Sequence, residues 1–284
     1  MFQGRLSKQI PVLSLLTGAT VWGLIWYPYR VLAALGMPGW ISLTLSYAAA
    51  FLLTLAFFRK KACSFSWMLV WIGLSAGLCN FGYVIAMLDG KVMRVLLLFY
   101  LAPFWTVLLS RFILKERLTA KGYLVILFSA AGAIEMLWSP GSILPQNDAE
   151  WLGLASGFMF ALSNVLAKRA ASYSIEARSA SVSLGVVASG ILFAFFQPIG
   201  ESGISPYALL LLVAMGLAIF AVNWVMQYGL SRVPANRAIV ILLFELVVAA
   251  LSSYFLAGEA MRLQDWVGGA MIVAAGFFSS KLEI

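Results

Sequence analysis

The sequence predicts an all-α membrane protein of ten transmembrane helices, built as two inverted five-helix repeats with both termini in the cytoplasm. Three observations predict it: 63% of the residues are apolar, they form runs of membrane-spanning length, and basic residues collect in alternate loops. Only 11% are charged, against about 25% in a soluble domain. In such a chain the net charge of +8 indicates loops beside anionic lipid rather than a nucleic-acid partner.

Ten apolar runs approach the roughly 20 helical residues that cross the hydrocarbon core. The first run follows a basic start but exceeds the roughly 7–15 residues of a signal-peptide core, so we interpret it as a retained helix. The predicted helices are residues 11–35, 39–58, 67–88, 92–111, 120–138, 151–171, 178–197, 206–228, 234–256 and 264–280. The outer linker 139–150 separates a first half, 1–138, from a second half, 151–284.

Lysine and arginine set the orientation because they cross membranes poorly. With the N-terminus inside, 14 of the 19 basic residues fall in cytoplasmic segments, whereas the opposite loops hold Lys91 and Arg262 among six acidic residues. Arg178, the first residue of the seventh predicted helix, is counted with the cytoplasmic loop charges. The predicted location is the bacterial cytoplasmic membrane, with the lipid bilayer as a partner.

Two segments with equal spacing indicate an internal repeat. Glu116 is followed seven residues later by Tyr123, and Glu259 is followed at the same distance by Trp266. Five predicted helices separate the copies, an odd number, so the second copy enters the membrane in the opposite orientation. Inverted repeats around a central site are a recurring design of secondary transporters.

Short motifs accompany this repeat. They are Trp22-Gly23, Leu101-Ala102-Pro103-Phe104 and Leu114-Lys115-Glu116-Arg117-Leu118-Thr119 in the first copy, and Leu256-Ala257-Gly258-Glu259 with Trp266 and Gly268 in the second. On these motifs the chain resembles the EamA-type drug/metabolite transporter superfamily. The resemblance implies ten helices, cytoplasmic termini and the transport, usually outward, of small metabolites. One departure is that Glu245-Leu246 stands where the first copy has Ala102-Pro103, which replaces a helix-breaking proline and adds a charge.

Glu245 is the leading candidate for substrate binding and for carrying a proton. It lies about eleven residues into the ninth predicted helix, roughly 16 Å deep at 1.5 Å per residue, near the bilayer midplane. A charge there costs about 2.5–3.5 kcal/mol, so we expect water, a partner or a substrate beside it. The alternative is a buried pair with an arginine or asparagine that only locks helices together.

Trp22, Trp26 and Arg30 recur every four residues and therefore share one face of the first predicted helix. Facing inward, they would form an aromatic wall that ends in an anion-binding group. Facing lipid, the tryptophans would be packing residues and Arg30 a snorkelling anchor. The depth of the tryptophans below the interfacial belt favours the inward arrangement.

The amides Asn80, Asn164, Asn223 and Gln227 lie within the third, sixth and eighth predicted helices. Asn80 and Asn164 are candidate substrate ligands, and Asn164 aligns with Trp26 in the repeat. Tyr100 and Trp224 are the further aromatic candidates. Hydrogen bonds between helices, worth about 0.6 kcal/mol on average in one membrane protein, explain the amides equally well.

Three further groups of charged residues are not assigned to the substrate site. Their predicted roles are either structural or undecided. Arg94 and Arg237 either face the cavity or snorkel, and Glu116 and Glu259 are interpreted as structural residues at helix ends. Glu135 is placed near the outer end of the fifth predicted helix, within reach of an arginine.

The leading hypothesis is a secondary transporter of an amino acid or related zwitterion, driven by protons or by exchange. Glu245 would bind the ammonium group, and Arg30 or Arg94 the carboxylate. The alternative substrate is an organic cation, held by Glu245 and cation–π contacts. A channel and an intramembrane enzyme are the other classes; the absence of histidine disfavours an enzyme. No cofactor or metal is predicted, and the oligomeric state is left open.

Overall fold

The computed structural model describes residues 2–62, 65–89, 92–138, 145–196, 205–258 and 262–281. Within these ranges some side chains are not described, among them that of Arg94. Glu259 lies outside the described residues. The described parts of the chain are helical, joined by turns, and contain no β-strand. The predicted all-α class is therefore confirmed.

The described residues form thirteen α-helices and one π-helical segment. They are α1 Phe2–Leu24, α2 Trp26–Ala34, α3 Gly39–Ala62, α4 Trp67–Asp89, α5 Val92–Phe99, α6 Ala102–Leu109, the π-helical Ser110–Leu114, α7 Ala120–Leu137, α8 Asp148–Arg169, α9 Ile175–Ala194, α10 Pro206–Arg232, α11 Ala235–Leu242, α12 Phe244–Ala257 and α13 Leu263–Lys281. Among the described residues, seven helical stretches are long and apolar enough to cross a membrane, and two further apolar helices are shorter.

Prolines break two of the predicted helices near their centres. Pro28 and Pro103 have no N–H to bond the carbonyl four residues earlier, and their rings crowd it. The chain accordingly turns at Ile25, between α1 and α2, and at Tyr100–Leu101, between α5 and α6. The first predicted helix is therefore two helices rather than one continuous element.

A third break, at Leu243 between α11 and α12, occurs without proline. Here the Leu246 N–H donates to the Leu243 carbonyl, three residues back, at 3.0 Å. Leu243 lies sixteen residues before Glu259, and Tyr100 lies sixteen residues before Glu116. Both copies of the repeat are thus broken at the matching position, although Glu245-Leu246 has replaced the proline motif in the second.

The main helix contacts have a two-fold pattern: each is repeated when every helix is replaced by its counterpart in the other half. α4 packs on α8 and α9, and in the same way α10 packs on α1 and α3. α5 and α6 pack on α8, as α11 and α12 pack on α1. Two further contacts join counterparts directly, α3 with α9 and α7 with α13. The halves are therefore interleaved along a shared central seam.

Glycines allow the closest of these approaches. A Cβ atom placed on Gly73 would lie 2.6 Å from the Ser181 carbonyl oxygen, and one on Gly185 would collide with the backbone of Gly73. A Cβ on Gly157 would overlap the Phe99 backbone in the same manner. Small residues let membrane helices approach this closely, and they bring α4 to α9 and α8 to α5 around the seam.

Candidate functional site

A cavity of about 250 Å³ lies along the seam between the halves. Its wall is drawn from α1 to α5 of the first half and from α8 to α12 of the second. Most of the lining is apolar or aromatic, and a small number of polar side chains interrupt it, which is the usual composition of a small-molecule site. Among the described lining residues, Glu245 is the one side chain with a formal charge.

Glu245 lies in the first turn of α12, two residues after the break at Leu243. Its side chain is partly exposed and forms part of the cavity wall. The Tyr100 hydroxyl lies next to its carboxylate and interacts with it. Because Tyr100 lies at the matching break of the first half, this contact joins the two interrupted helices. A carboxylate at this depth thus has both a partner and open space beside it.

Trp22 and Trp26 both line the cavity, one on each side of the break at Ile25. The Trp22 ring stacks on Tyr47 with centroids 6.5 Å apart. The Trp26 Nε1 donates to the Ser252 hydroxyl at 2.9 Å, which ties α2 to α12. These contacts fix two indole faces in the wall, where they are available to a ligand cation.

Arg30 and Trp224 lie elsewhere. Arg30 is exposed and is not part of the cavity wall, although Tyr29 beside it is, because successive residues of α2 point in different directions. Trp224 is 40% exposed and stacks on Phe58 with centroids 5.7 Å apart. Its neighbour Asn223 faces the cavity instead, because successive residues of a helix point about 100° apart.

Asn80, Asn164, Asn223 and Gln227 all line the cavity. Asn80 donates to the Ala76 carbonyl at 2.8 Å and accepts from the Tyr47 hydroxyl at 3.4 Å. Asn164 is 9% exposed, and its Nδ2 has no hydrogen-bond partner in the part of the chain that the structure describes. An unsatisfied buried donor costs about 1–3 kcal/mol, so Asn164 is the amide best placed to gain from a ligand.

Arg178 is buried, although charge counting grouped it with the cytoplasmic loop residues. It lies in the first turn of α9, is 1% exposed and donates to Gln227. Its position after a basic loop resembles an ordinary topogenic charge, and the surrounding serines give the one local hint of a polar interior. Tyr29, Tyr47 and Cys79 also line the cavity without having been predicted.

The described side chains provide no group of three or more His, Cys, Asp or Glu residues that could hold a metal ion. What the wall offers is a carboxylate, hydrogen-bonding amides and aromatic faces. This arrangement can bind an organic ligand through ion pairing, cation–π contact and hydrogen bonds.

Comparison with known proteins adds three similarities. Residues 148–281 match the model of the EamA-like transporter family. An uncharacterized transporter of Archaeoglobus fulgidus is 31% identical over 193 residues, which cover 68% of each chain. A solved crystal structure of a protein superposes with a TM-score of 0.79 at 19% identity, covering 95% of this chain and 97% of the other; at that identity the similarity concerns the fold.

Proposed function

Since the chain belongs to the EamA-like transporter family, we propose that it is a secondary transporter that moves a small metabolite carrying a protonated amine. The observation that carries this proposal is the seam cavity with the Glu245 carboxylate in its wall. The transporter works in the bacterial cytoplasmic membrane, and export is the direction that the family resemblance implies.

Alternating access is supported by the arrangement of the halves. If the two parts of each interrupted helix are counted as one membrane crossing, the chain has ten crossings, five in each half. Because five is an odd number, the second half starts from the opposite side of the membrane. The halves then have opposite orientations, and the contacts that are symmetric to their exchange fit an inverted repeat. In such a fold, exchanging the conformations of the halves opens a central site to alternate sides of the membrane.

The proposed amine specificity follows from the wall. One carboxylate without a basic residue among the described lining side chains attracts a cation. Trp22 and Trp26 beside it add cation–π attraction, worth about 2 kcal/mol when the cation is desolvated. Both an amino acid and an organic cation present an ammonium group to such a wall.

Proton coupling is assigned to Glu245, the carboxyl group of the described cavity wall. Intramembrane carboxylates commonly serve as proton relays in transporters. A proton and an ammonium group would compete for the same oxygens, so release of one allows uptake of the other. This competition converts a pH gradient into substrate movement.

Counterflow in proteoliposomes tests the proposal. Uptake of labelled amino acids and amines is measured in proteoliposomes preloaded with the unlabelled compound, with and without a pH gradient. The proteins compared are wild type, Glu245→Gln and the exposed control Glu135→Gln. We expect saturable counterflow in wild type and the control, and loss of proton dependence in Glu245→Gln. Unchanged transport of every compound by Glu245→Gln would contradict the site, and non-saturable flux would indicate a channel.

A further inference from the structure

Arg178 is a buried cation that makes no ion pair with a carboxylate of the described residues, and Glu176 attracts it only from beyond ion-pair distance. The Arg178 Nη1 donates to the carbonyl oxygens of Ala167 at 3.2 Å and Gln227 at 3.0 Å. Its Nε has no hydrogen-bond partner in the described ranges. Glu176, the acid nearest in sequence, is instead 3.7 Å from Lys61, and no carboxylate of the described residues is within ion-pair distance of Arg178.

A buried charge in this state is incompletely compensated. The carbonyl groups near the ends of α8 and α10 carry partial negative charge and offset some of the cost. They leave a net positive charge, which remains effective over a longer distance in the low-dielectric interior than in water. The cavity wall beside Arg178 is therefore electropositive.

Gln227 connects the positive charge of Arg178 to the cavity, because its side chain contacts Arg178 and also lines the cavity wall. Its Oε1 accepts from the Arg178 Nη1 at 3.4 Å, and a guanidinium can only donate, which fixes the orientation of the amide. The Gln227 Nε2 is then the group turned away from Arg178, and it has no acceptor among the described residues. Asn164, on the same wall, adds the unpartnered Nδ2.

The two donors lie at one depth, separate from Glu245. Asn164 is five residues before the end of α8 and Gln227 five before the end of α10, so each is about 7 Å from the basic ends of these helices. Glu245 is ten residues after the start of α11, about 15 Å deep. The two levels therefore differ in depth by about 8 Å. A short molecule that makes one charge-assisted hydrogen bond of about 2.8 Å at each end is long enough to connect them.

We propose that Gln227 and Asn164, held and polarised by Arg178, form a carboxylate-binding end of the cavity opposite Glu245. The inference rests on the proposed transport function and deepens it, because it selects zwitterions over simple organic cations. Arg178 is a positioning residue here: it orients the Gln227 amide and supplies the charge behind it. The substrate carboxylate accepts from the two amide nitrogens while its ammonium group binds Glu245.

Matched pairs of probes test this carboxylate-binding end. Phenylalanine with phenethylamine, and leucine with isoamylamine, differ by the carboxylate alone. We expect wild-type proteoliposomes to exchange each amino acid with at least tenfold lower half-saturation than its amine. Arg178→Gln should abolish this preference by weakening amino acid uptake, whereas Arg232→Gln, which removes an exposed arginine nearby, should preserve it.

A second variant covers the possibility that Arg178→Gln fails to fold. Gln227→Glu places a carboxylate beside Arg178 and pairs its charge, so the bundle keeps its packing while the substrate carboxylate is repelled. We expect this variant to prefer the amines. Equal uptake of both members of each pair by wild type, or a wild-type preference retained in Gln227→Glu, would overturn the carboxylate-binding end while leaving transport intact. Uptake of neither member of any pair would overturn both proposals.

Discussion

The Tyr100 hydroxyl lies next to the Glu245 carboxylate across the seam and interacts with it, from the break of one half to the break of the other. Each break exposes backbone that a continuous helix would satisfy internally, which membrane proteins tolerate where the chain lines a cavity. This contact therefore places Glu245, the one charged side chain of the described cavity wall, between the two breaks.

Tyr100→Phe removes the hydroxyl that would donate a hydrogen bond to the Glu245 carboxylate, while keeping the ring. A hydrogen bond to a charged group is worth about 1.5–3 kcal/mol, and its loss lets the carboxylate leave its substrate-binding position. We expect half-saturation for an amine probe to rise about tenfold, which corresponds to about 1.4 kcal/mol. Counterflow measures it, with the part-exposed Tyr123→Phe as the control. Equal effects of the two variants would argue against the role of Tyr100.

The aromatic wall gives a second prediction. Trp26→Leu removes an indole face from the cavity, and the cation–π attraction of about 2 kcal/mol goes with it. We expect weaker amine binding, with Trp26→Phe in between because it keeps a ring but loses the bond to Ser252. Titrating probe uptake against concentration measures the change.

Trp224→Leu is the matched control for this series, because Trp224 stacks on Phe58 outside the cavity. It should leave half-saturation for the amine unchanged. A loss of affinity as large as that of Trp26→Leu would show that tryptophan content, rather than position in the wall, is responsible.

Cys79 provides a reporter of cavity access. It is buried and lines the cavity, so a small organomercurial that enters the cavity should block transport. We expect amine probes to protect against this block, and Cys79→Ser to be insensitive to the reagent. Cys63→Ser serves as the control and should stay sensitive. Sensitivity of Cys79→Ser equal to wild type would place the reactive thiol elsewhere.

Close packing at the seam predicts a stability effect. A Cβ on Gly185 collides with the Gly73 backbone, whereas one on Gly269 meets nothing nearer than 3.8 Å. Overpacking costs typically about 1–3 kcal/mol, and backbone cannot move aside as a side chain can. We expect Gly185→Ala to lower the melting temperature in detergent, and Gly269→Ala to leave it unchanged or raised. A stable Gly185→Ala would mean that α4 and α9 can separate without cost.

Sequence reasoning singled out Glu245, because a charge far from either end of an apolar run is visible without any coordinates. It also named Trp22, Trp26, Asn80 and Asn164. All five residues line the cavity, and their role in substrate binding stays a prediction. These residues share a physical signature: each is polar or amphipathic at a depth where lipid offers it no advantage.

The other features of the site could not be predicted from the sequence. They depend on which face each helix turns toward the cavity and on where the helices break, and short stretches of sequence do not determine either. α10 is apolar around much of its circumference, so its composition does not tell whether Asn223 or Trp224 faces inward. Arg178 follows a basic loop, and a buried cation near a helix end cannot be told from a topogenic one by charge counting. The Tyr100–Glu245 contact requires both breaks at once, and no proline in the sequence marks the break at Leu243.

Glu116 gives the last prediction, since its carboxylate ties the halves together at their basic side. It accepts from the Ala235 N–H at 3.2 Å and the Asn236 Nδ2 at 3.1 Å, and Asn236 in turn accepts from Ser110 at 3.0 Å. Glu116 thus caps the start of α11 from the other half, a contact worth about 1 kcal/mol at a helix N-terminus. A state open on this side would have to stretch or break it.

Glu116→Ala should therefore favour opening toward the basic side. We expect faster reaction of Cys79 with a mercurial added to inside-out vesicles, and a melting temperature a few degrees lower. Arg117→Ala changes the exposed neighbour and should alter neither measurement. Cys79 could instead react at the wild-type rate in Glu116→Ala although the protein was destabilised. The contact would then be a helix cap that persists in every conformation, and other residues would keep this side closed.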